Sequence, residues 1–290
     1  MLEVFFLGTG STVPTIERFH ASVAIRRSGE IFLFDCGEGC QIRIQQLHLS
    51  PHKINHIFIS HFHGDHCFGL PGLLYSMGIN GRTAPVHIHS GSPKTMRMFL
   101  EFLENDVPYE IVYDGPEYEG EEVIVKAIRA RHSIYAQAFR FEEKPKLNVD
   151  KAKLKALGIP DGPHLQQLKL GDMKYEGKTY KQTELTRITP GKSVVYSGDT
   201  LPFDEMAVFA KGTELLIHEA TYGKDMMDKA KERKHSWAAA AADIAKKANA
   251  QKLALMHFSR RYDETNELLK EAKEVFDNTV ITEDLMCVKV

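Results

Sequence analysis

Five short runs of β-branched, aliphatic and aromatic residues in this chain stop abruptly at a side chain able to bind metal or move a proton. EIFLFDCGEG breaks at Asp35, NHIFISHFHGDH at His61, KSVVYSGDT at Asp199, ELLIHEAT at His218 and Glu219, and KLALMHFSRRY at His257. Runs this short and this continuously apolar suit strands buried on both faces. Helical patterns follow several of them, over Cys67–Gly78, Pro93–Glu104, Ser236–Ala248 and Glu264–Phe276. Strands flanked by helices, with reactive residues beyond the strands' carboxyl ends, predict a layered α/β enzyme. One polar residue at a strand end marks only where a loop begins. Five runs that all end in His, Asp or Glu point to one shared site.

The chain has 290 residues, enough to bury a large core. Its formal net charge of −2 argues against a general polyanion binder, so any nucleic-acid surface must be local. No apolar run approaches the roughly 20 residues needed to cross a bilayer. The start, MLEVFFLGTGSTVP, lacks a basic lead and a signal-peptide core, and reads as a first strand. Cys36, Cys40, Cys67 and Cys287 show neither a CxxC pair nor framework spacing, which predicts free thiols and a cytoplasmic protein.

Lys144 to Lys181 breaks the pattern. It lacks core periodicity, carries nine lysines against four acids, and holds GIPDGP in its middle. It reads as an inserted arm, with Lys151, Lys153 and Lys155 among the charges available to phosphates. The run Ala238–Ala242 reads as a helix face set tightly against the core.

The densest chemistry lies in ISHFHGDHCFGL. His61 and His63, two apart in an extended segment, point to the same side. Asp65 and His66 follow at a turn, where Gly64 permits a tight path, and are aimed differently. Four potential ligands in six residues would crowd one tetrahedral ion and divide more naturally between two neighbouring ions. Further ligands are sought at Asp199 in SGDT, His257 in MHFS and His132 in RARHS, the last following the strand-like VIVKAIRARH. Position alone suggests these three.

HFHGDH, SGDT and a late strand-terminal His resemble the metallo-β-lactamase superfamily. The order LGTGSTVPT, FDCGEGCQ, INHIFISHFHGDHCFGLPGLL, SGDT, HEAT, HSW and HFSRRY is similar, over nearly the whole chain, to the ribonuclease Z family of tRNA 3′-processing endonucleases. The resemblance implies an α/β fold, a four-layer αββα sandwich spanning residues 1–290, with the arm at 144–181 as a tRNA-binding exosite. It implies that His61, His63 and His132 hold one zinc, that Asp65, His66 and His257 hold the other, and that Asp199 bridges them, with manganese or iron as substitutes. It also implies a homodimer acting on precursor tRNA, and places Gly162-Pro163 as the arm's Gly-Pro motif.

In that frame Asp65 is both ligand and base, while Glu219 orients His235 as the acid that protonates the leaving ribose oxygen. Arg260, Arg261 and Tyr262, directly after His257, are candidates to grip phosphate and stack on a base, with Arg18 as a further RNA contact. Two departures stand out. Arg18-Phe19-His20 replaces the family's Arg-Asn, and His235-Ser236-Trp237 replaces its His-Ser-Thr. The rival readings are a hydrolase of small esters or phosphodiesters, a di-iron redox protein, and a non-catalytic RNA-binding module. The first leaves the lysine-rich arm and HFSRRY unexplained, the second would want a flavin partner domain, and the third has no use for Asp65 and Asp199.

Overall fold

Each apolar run that ends at a reactive side chain is a strand: Glu30–Phe34, Ile54–Ile59, Ser193–Tyr196, Leu215–Glu219 and Leu253–Met256. Their continuous hydrophobicity has a simple cause, because both faces are covered. From Glu30–Phe34, Ile31 and Leu33 enter a cluster with Ile44, Leu70, Leu74 and Met96 of the helices. The alternate residues point the other way: Phe32 meets Phe141 edge-on at 5.2 Å, and Phe34 meets Phe139 at 5.7 Å, in the opposite sheet. Phe58 also reaches Phe139, at 5.6 Å. Burying each such ring stabilises the fold by roughly 1.5–3 kcal/mol.

The computed structural model describes residues 2–262 and 264–290. One seven-stranded sheet runs in the order Cys287–Lys289, Leu2–Gly8, Ser22–Arg27, Glu30–Phe34, Ile54–Ile59, Val86–Ser90, Ile111–Asp114. Its first three neighbouring pairs are antiparallel and its last three are parallel. The other runs Thr279–Ile281, Leu253–Met256, Leu215–Glu219, Ser193–Tyr196, Ala136–Glu143, Val123–Ala130, Tyr118–Glu119. The strands between Ser193 and Ile281 are parallel.

Helices Cys40–Gln46, Leu70–Ile79 and Pro93–Leu100 cover the first sheet. Asp204–Phe209, Ala238–Lys247 and Asn266–Lys273 cover the second. The result is the four-layer αββα arrangement. All of Ala238–Ala242 is buried, and the methyl groups of Ala238, Ala241 and Ala242 join the cluster that holds Leu216 and Leu255. The expected helix Cys67–Gly78 is interrupted. Gly64–Cys67 and Leu70–Ile79 are separate: the Gly69 N–H donates to the Cys36 carbonyl at 2.9 Å instead of within a helix, and a Cβ there would overlap the Gly37 carbonyl.

The chain divides into two compact units, and the second comprises Glu121–Val123 and Glu142–Gly191. This unit is wider than the 144–181 arm, because Lys146–Val149 pairs antiparallel with Thr186–Thr189. It also has its own small core of Leu154, Ile159, Leu168, Met173 and Leu185, which the sequence did not announce. Asp150 caps its helix Lys151–Ala156, accepting from Ala152 N and Lys153 N. Pro163 opens a 3-10 segment, and His164 stacks on Tyr175 at 4.5 Å. Lys151, Lys153 and Lys155 are exposed, and Lys151 pairs with Asp161 at 3.3 Å. No helix among the described residues is long and apolar enough to cross a membrane. The cysteines are all free, with only Cys287 exposed.

Candidate active site

Parallel register brings the strand ends together. Tyr196 lies opposite Ile217, and Glu219 opposite Met256, so Asp199, Glu219 and His257 emerge at one edge. In the other sheet Phe34 lies opposite Phe58, which places Asp35 beside Ser60 and His61. His132 lies two residues beyond the end of the strand Val123–Ala130. Gly198, at φ +55°, makes the bend before Asp199. It passes so close to Ser60 and the Gln137 carbonyl that a Cβ would sit 2.9–3.0 Å from them. Asp35 and His257 also hold positive φ, 55° and 62°, a conformation that non-glycine residues adopt mostly at special sites.

Among the described residues three groups of ligand atoms result: His61–His63–His132–Asp199, Asp65–His66–Asp199–His257, and Glu219–His235–His257, whose first two members pair with each other. In the first, His63 Nδ1 lies 3.0 Å from His61 Nε2 and 3.1 Å from His132 Nε2. In the second, His257 Nε2 lies 3.3 Å from His66 Nε2 and 3.4 Å from Asp65 Oδ2. Asp199 belongs to both: its Oδ2 is 3.7 Å from His61 Nε2 and 3.4 Å from His66 Nε2, and its Oδ1 is 3.2 Å from His257 Nε2. The turn after His63 therefore separates the two pairs of HFHGDH, sending each to a different set.

The donor set fits divalent metal. Ligand atoms on a zinc at about 2.0–2.1 Å stand roughly 3.3 Å apart, close to the spacings within each group. The outer nitrogens reinforce this. His66 Nδ1 donates to Asp35 Oδ2 at 2.6 Å, and His132 Nδ1 donates to the Lys234 carbonyl at 2.9 Å. His61 Nδ1 meets Ser60 Oγ at 2.9 Å, and His257 Nδ1 meets Thr221 Oγ1 at 2.8 Å. Each bond turns Nδ1 outward and leaves Nε2 as the ring atom facing the cluster. Asp199 Oδ1 is buried with no hydrogen-bond partner. Burial pulls His61, His63 and His132 below the ordinary imidazole range, so these rings are neutral, as ligands must be. For Asp199 burial pushes upward, but His257, His66 and His235 outweigh it and keep the carboxylate ionised.

Beside the second group, His235 Nδ1 donates to Glu219 Oε1 at 3.0 Å. Lys234, left-handed at φ +61°, ends the helix Met227–Arg233 and turns His235 back into the site. Burial would lower the His235 pKa, but Glu219 reverses the sign and lifts it to about 9. His235 lines a cleft of about 980 Å³ together with His63, Asp65, His132 and Asp199.

Arg260 and Arg261 line this cleft, as do Lys229 and Arg233, which went unmarked in the run KAKERK. Arg18 and Tyr262, the other expected RNA contacts, are both engaged within the fold. Arg18 Nη1 donates to Thr9 Oγ1 and the Thr282 carbonyl, and its guanidinium covers Phe258 at 4.8 Å. The Tyr262 hydroxyl accepts from Gly223 N and donates to Asp225 Oδ1, both at 2.9 Å. Asp35 and Thr221, which carry no role in the motif reading, hold the ligands from behind. The only signal for Asp35 was its place at the end of EIFLFD.

Comparison with known proteins settles the family. A model described as "Beta-lactamase superfamily domain" matches residues 176–258, and "Anti-Pycsar protein Apyc1" matches residues 2–106. Ribonuclease Z of Methanothermobacter thermautotrophicus is 41% identical, over 100% of this chain and 97% of that protein. The chain belongs to the ribonuclease Z family. Ribonuclease Z of Bacteroides fragilis, at 36% identity, covers 99% of both chains. The crystal structure of the short form of human tRNase Z superposes with a TM-score of 0.70 at 29% identity, covering 99% of this chain and 98% of that one. The Bacillus subtilis protein YhfI reaches 0.73 at 18% identity, covers 99% and 98%, and speaks for the metallo-β-lactamase fold alone. As a ribonuclease Z family member, this chain is a hydrolytic endoribonuclease with a His/Asp cluster able to hold divalent metal.

Proposed function

We propose that this chain removes the 3′ trailer of precursor tRNA, leaving a 3′-hydroxyl on the tRNA and a 5′-phosphate on the trailer. The observation that carries the reading is that His63, Asp65, His132 and Asp199 of a two-part His/Asp donor cluster line one cleft with His235, which Glu219 holds from behind, in a chain with full-length ribonuclease Z relatives. The tRNA substrate is brought by the likeness to human tRNase Z.

His61, His63 and His132 would hold one ion and Asp65, His66 and His257 the other, with Asp199 shared. The imidazole-rich donors suit zinc, with manganese or iron as substitutes. A bound pair of such ions supplies an acidified water and neutralises charge on the phosphoryl oxygens. Asp65, ionised and buried beside His66 and His257, is the acceptor for the proton of the attacking water. His235 holds its Nδ1 proton on Glu219, which leaves Nε2 to deliver a proton to the departing 3′-oxygen. Arg260 and Arg261 at the cleft, and separately the exposed Lys151, Lys153 and Lys155 around Gly162-Pro163, are the phosphate contacts. The working form is a cytoplasmic homodimer.

The reading is tested by incubating zinc-loaded protein with a precursor tRNA and mapping both new ends. A single cut at the acceptor-stem end with the stated termini is expected. No cut there, under conditions where a simple phosphodiester is hydrolysed, would overturn the tRNA assignment.

A further inference from the structure

The two chemical halves of the site share one hydroxyl. Thr221 Oγ1 is buried 2.6 Å from Glu219 Oε2, 2.8 Å from His257 Nδ1 and 3.3 Å from His235 Nδ1. A hydroxyl has one proton and two lone pairs, so the order of donation can be worked out. Glu219, acceptor-only when ionised, takes the Thr221 proton through its shorter contact. The oxygen is then free only to accept, so His257 Nδ1 must be the N–H form and Nε2 the lone pair aimed at Asp65 and Asp199. The remaining carboxylate oxygen, Oε1, takes the His235 Nδ1 proton.

The backbone fixes this hydroxyl firmly. Thr221 lies two residues beyond Glu219, its carbonyl accepts from Ser259 N at 3.2 Å, and its N–H reaches Glu219 Oε2 at 3.3 Å. The next residue, Tyr222, bridges to Trp237, and its N–H donates to the Ser236 carbonyl at 3.3 Å. The loops carrying His257, Glu219 and His235 therefore converge on this threonine.

We propose that Thr221 is a positioning residue that couples the metal-ligating His257 to the Glu219–His235 pair, setting the tautomer of the one and the aim of the other through a single hydroxyl. This deepens the proposed function and rests on its assignment of His235 as the acid for the leaving oxygen. A hydroxyl used only to satisfy a buried carboxylate would affect all substrates alike. A coupling hydroxyl has two separable effects: it holds the metal through His257, and it orients the acid, which matters only when the leaving group needs a proton.

The experiment compares wild type with Thr221→Val, which keeps the shape and removes the hydroxyl, and with Thr221→Ser, which keeps the hydroxyl. Three quantities are read: zinc retained against a chelator, kcat and KM on an RNA phosphodiester, and hydrolysis of bis(p-nitrophenyl) phosphate, whose aryl leaving group needs no acid. For Thr221→Val we expect zinc affinity to fall by about 10-fold or more, within the range for groups that support a metal ligand. RNA cleavage should fall by about 100-fold in kcat, with KM within about twofold, and aryl diester hydrolysis by about 10-fold. Thr221→Ser should recover most of each loss. Equal losses on both substrates with unchanged zinc retention would overturn the coupling, as would a Val variant matching wild type. If Thr221→Val fails to fold, Thr221→Ser decides: impairment of both its zinc retention and its RNA cleavage by 10-fold or more overturns the proposal. Zinc retention and aryl diester hydrolysis are read without tRNA, so a wrong tRNA assignment is distinguishable from a wrong role for Thr221.

Discussion

Asp35→Asn is the sharpest probe of how the fold holds its metal ligands. The carboxylate is fully buried and accepts four bonds: from His66 Nδ1 at 2.6 Å, Ser60 Oγ at 2.7 Å and the Tyr196 hydroxyl at 2.7 Å on Oδ2, and from Ser60 N at 2.7 Å on Oδ1. An asparagine has the same shape but only one accepting oxygen. Its best orientation keeps that oxygen on the His66 side and turns its NH2 group against the Ser60 N–H. The Ser60 N–H and the new NH2 group are then both buried without an acceptor, at about 1–3 kcal/mol each, and the bonds that remain lose their charge assistance, about 1 kcal/mol apiece. The expected destabilisation is therefore at least about 3 kcal/mol by urea unfolding of the metal-free protein. His66 also loses the partner that fixes its tautomer, so competition with a chelator should show metal affinity reduced by about 10- to 100-fold. A variant within about 1 kcal/mol of wild type, with unchanged metal affinity, would refute the reasoning.

Glu219→Gln should lower kcat on RNA by about 10²–10⁴-fold while leaving bound metal nearly unchanged, measured by steady-state kinetics and metal analysis. The pH profile carries a sign. His235, raised to about 9 through Glu219, is a protonated acid below that value, so activity needing the proton falls as pH rises through it. Removing the Glu219 charge lowers the His235 pKa, so the alkaline limb of kcat should move to lower pH; an unmoved limb would separate His235 from that titration. Deleting 144–181 should weaken tRNA binding and flatten its salt dependence, by filter binding across a salt series, while hydrolysis of a small diester persists. Loss of both together would make the arm structural.

Much of the fold was legible because burial on both faces leaves a plain signature. Strands such as Leu253–Met256 are apolar and buried along their whole length, so an end such as His257 stands out. The divided HFHGDH was legible because four ligands packed into six residues would crowd one tetrahedral ion. The less legible parts depend on contacts distant in sequence. Arg18 looked like a free cation, yet its Nη1 is held by Thr282, 264 residues away. Tyr262 looked like a stacking platform, but its hydroxyl ties the loop at Gly223 and Asp225. The arm's core is five scattered residues that no single periodicity joins. Asp35 and Thr221 are ordinary strand-end and loop residues until the sheets bring His66 and His257 against them.

The central claim is that one buried cluster holding two ions cuts precursor tRNA, and metal titration tests it most directly. Metal-free protein is reconstituted with increasing zinc, and trailer release with a new 5′-phosphate is followed at each step. The account predicts that cleavage rises until about two equivalents per chain and then levels, in keeping with two ligand groups that share Asp199. Full cleavage at one equivalent, or undiminished cleavage by the metal-free protein, would contradict it.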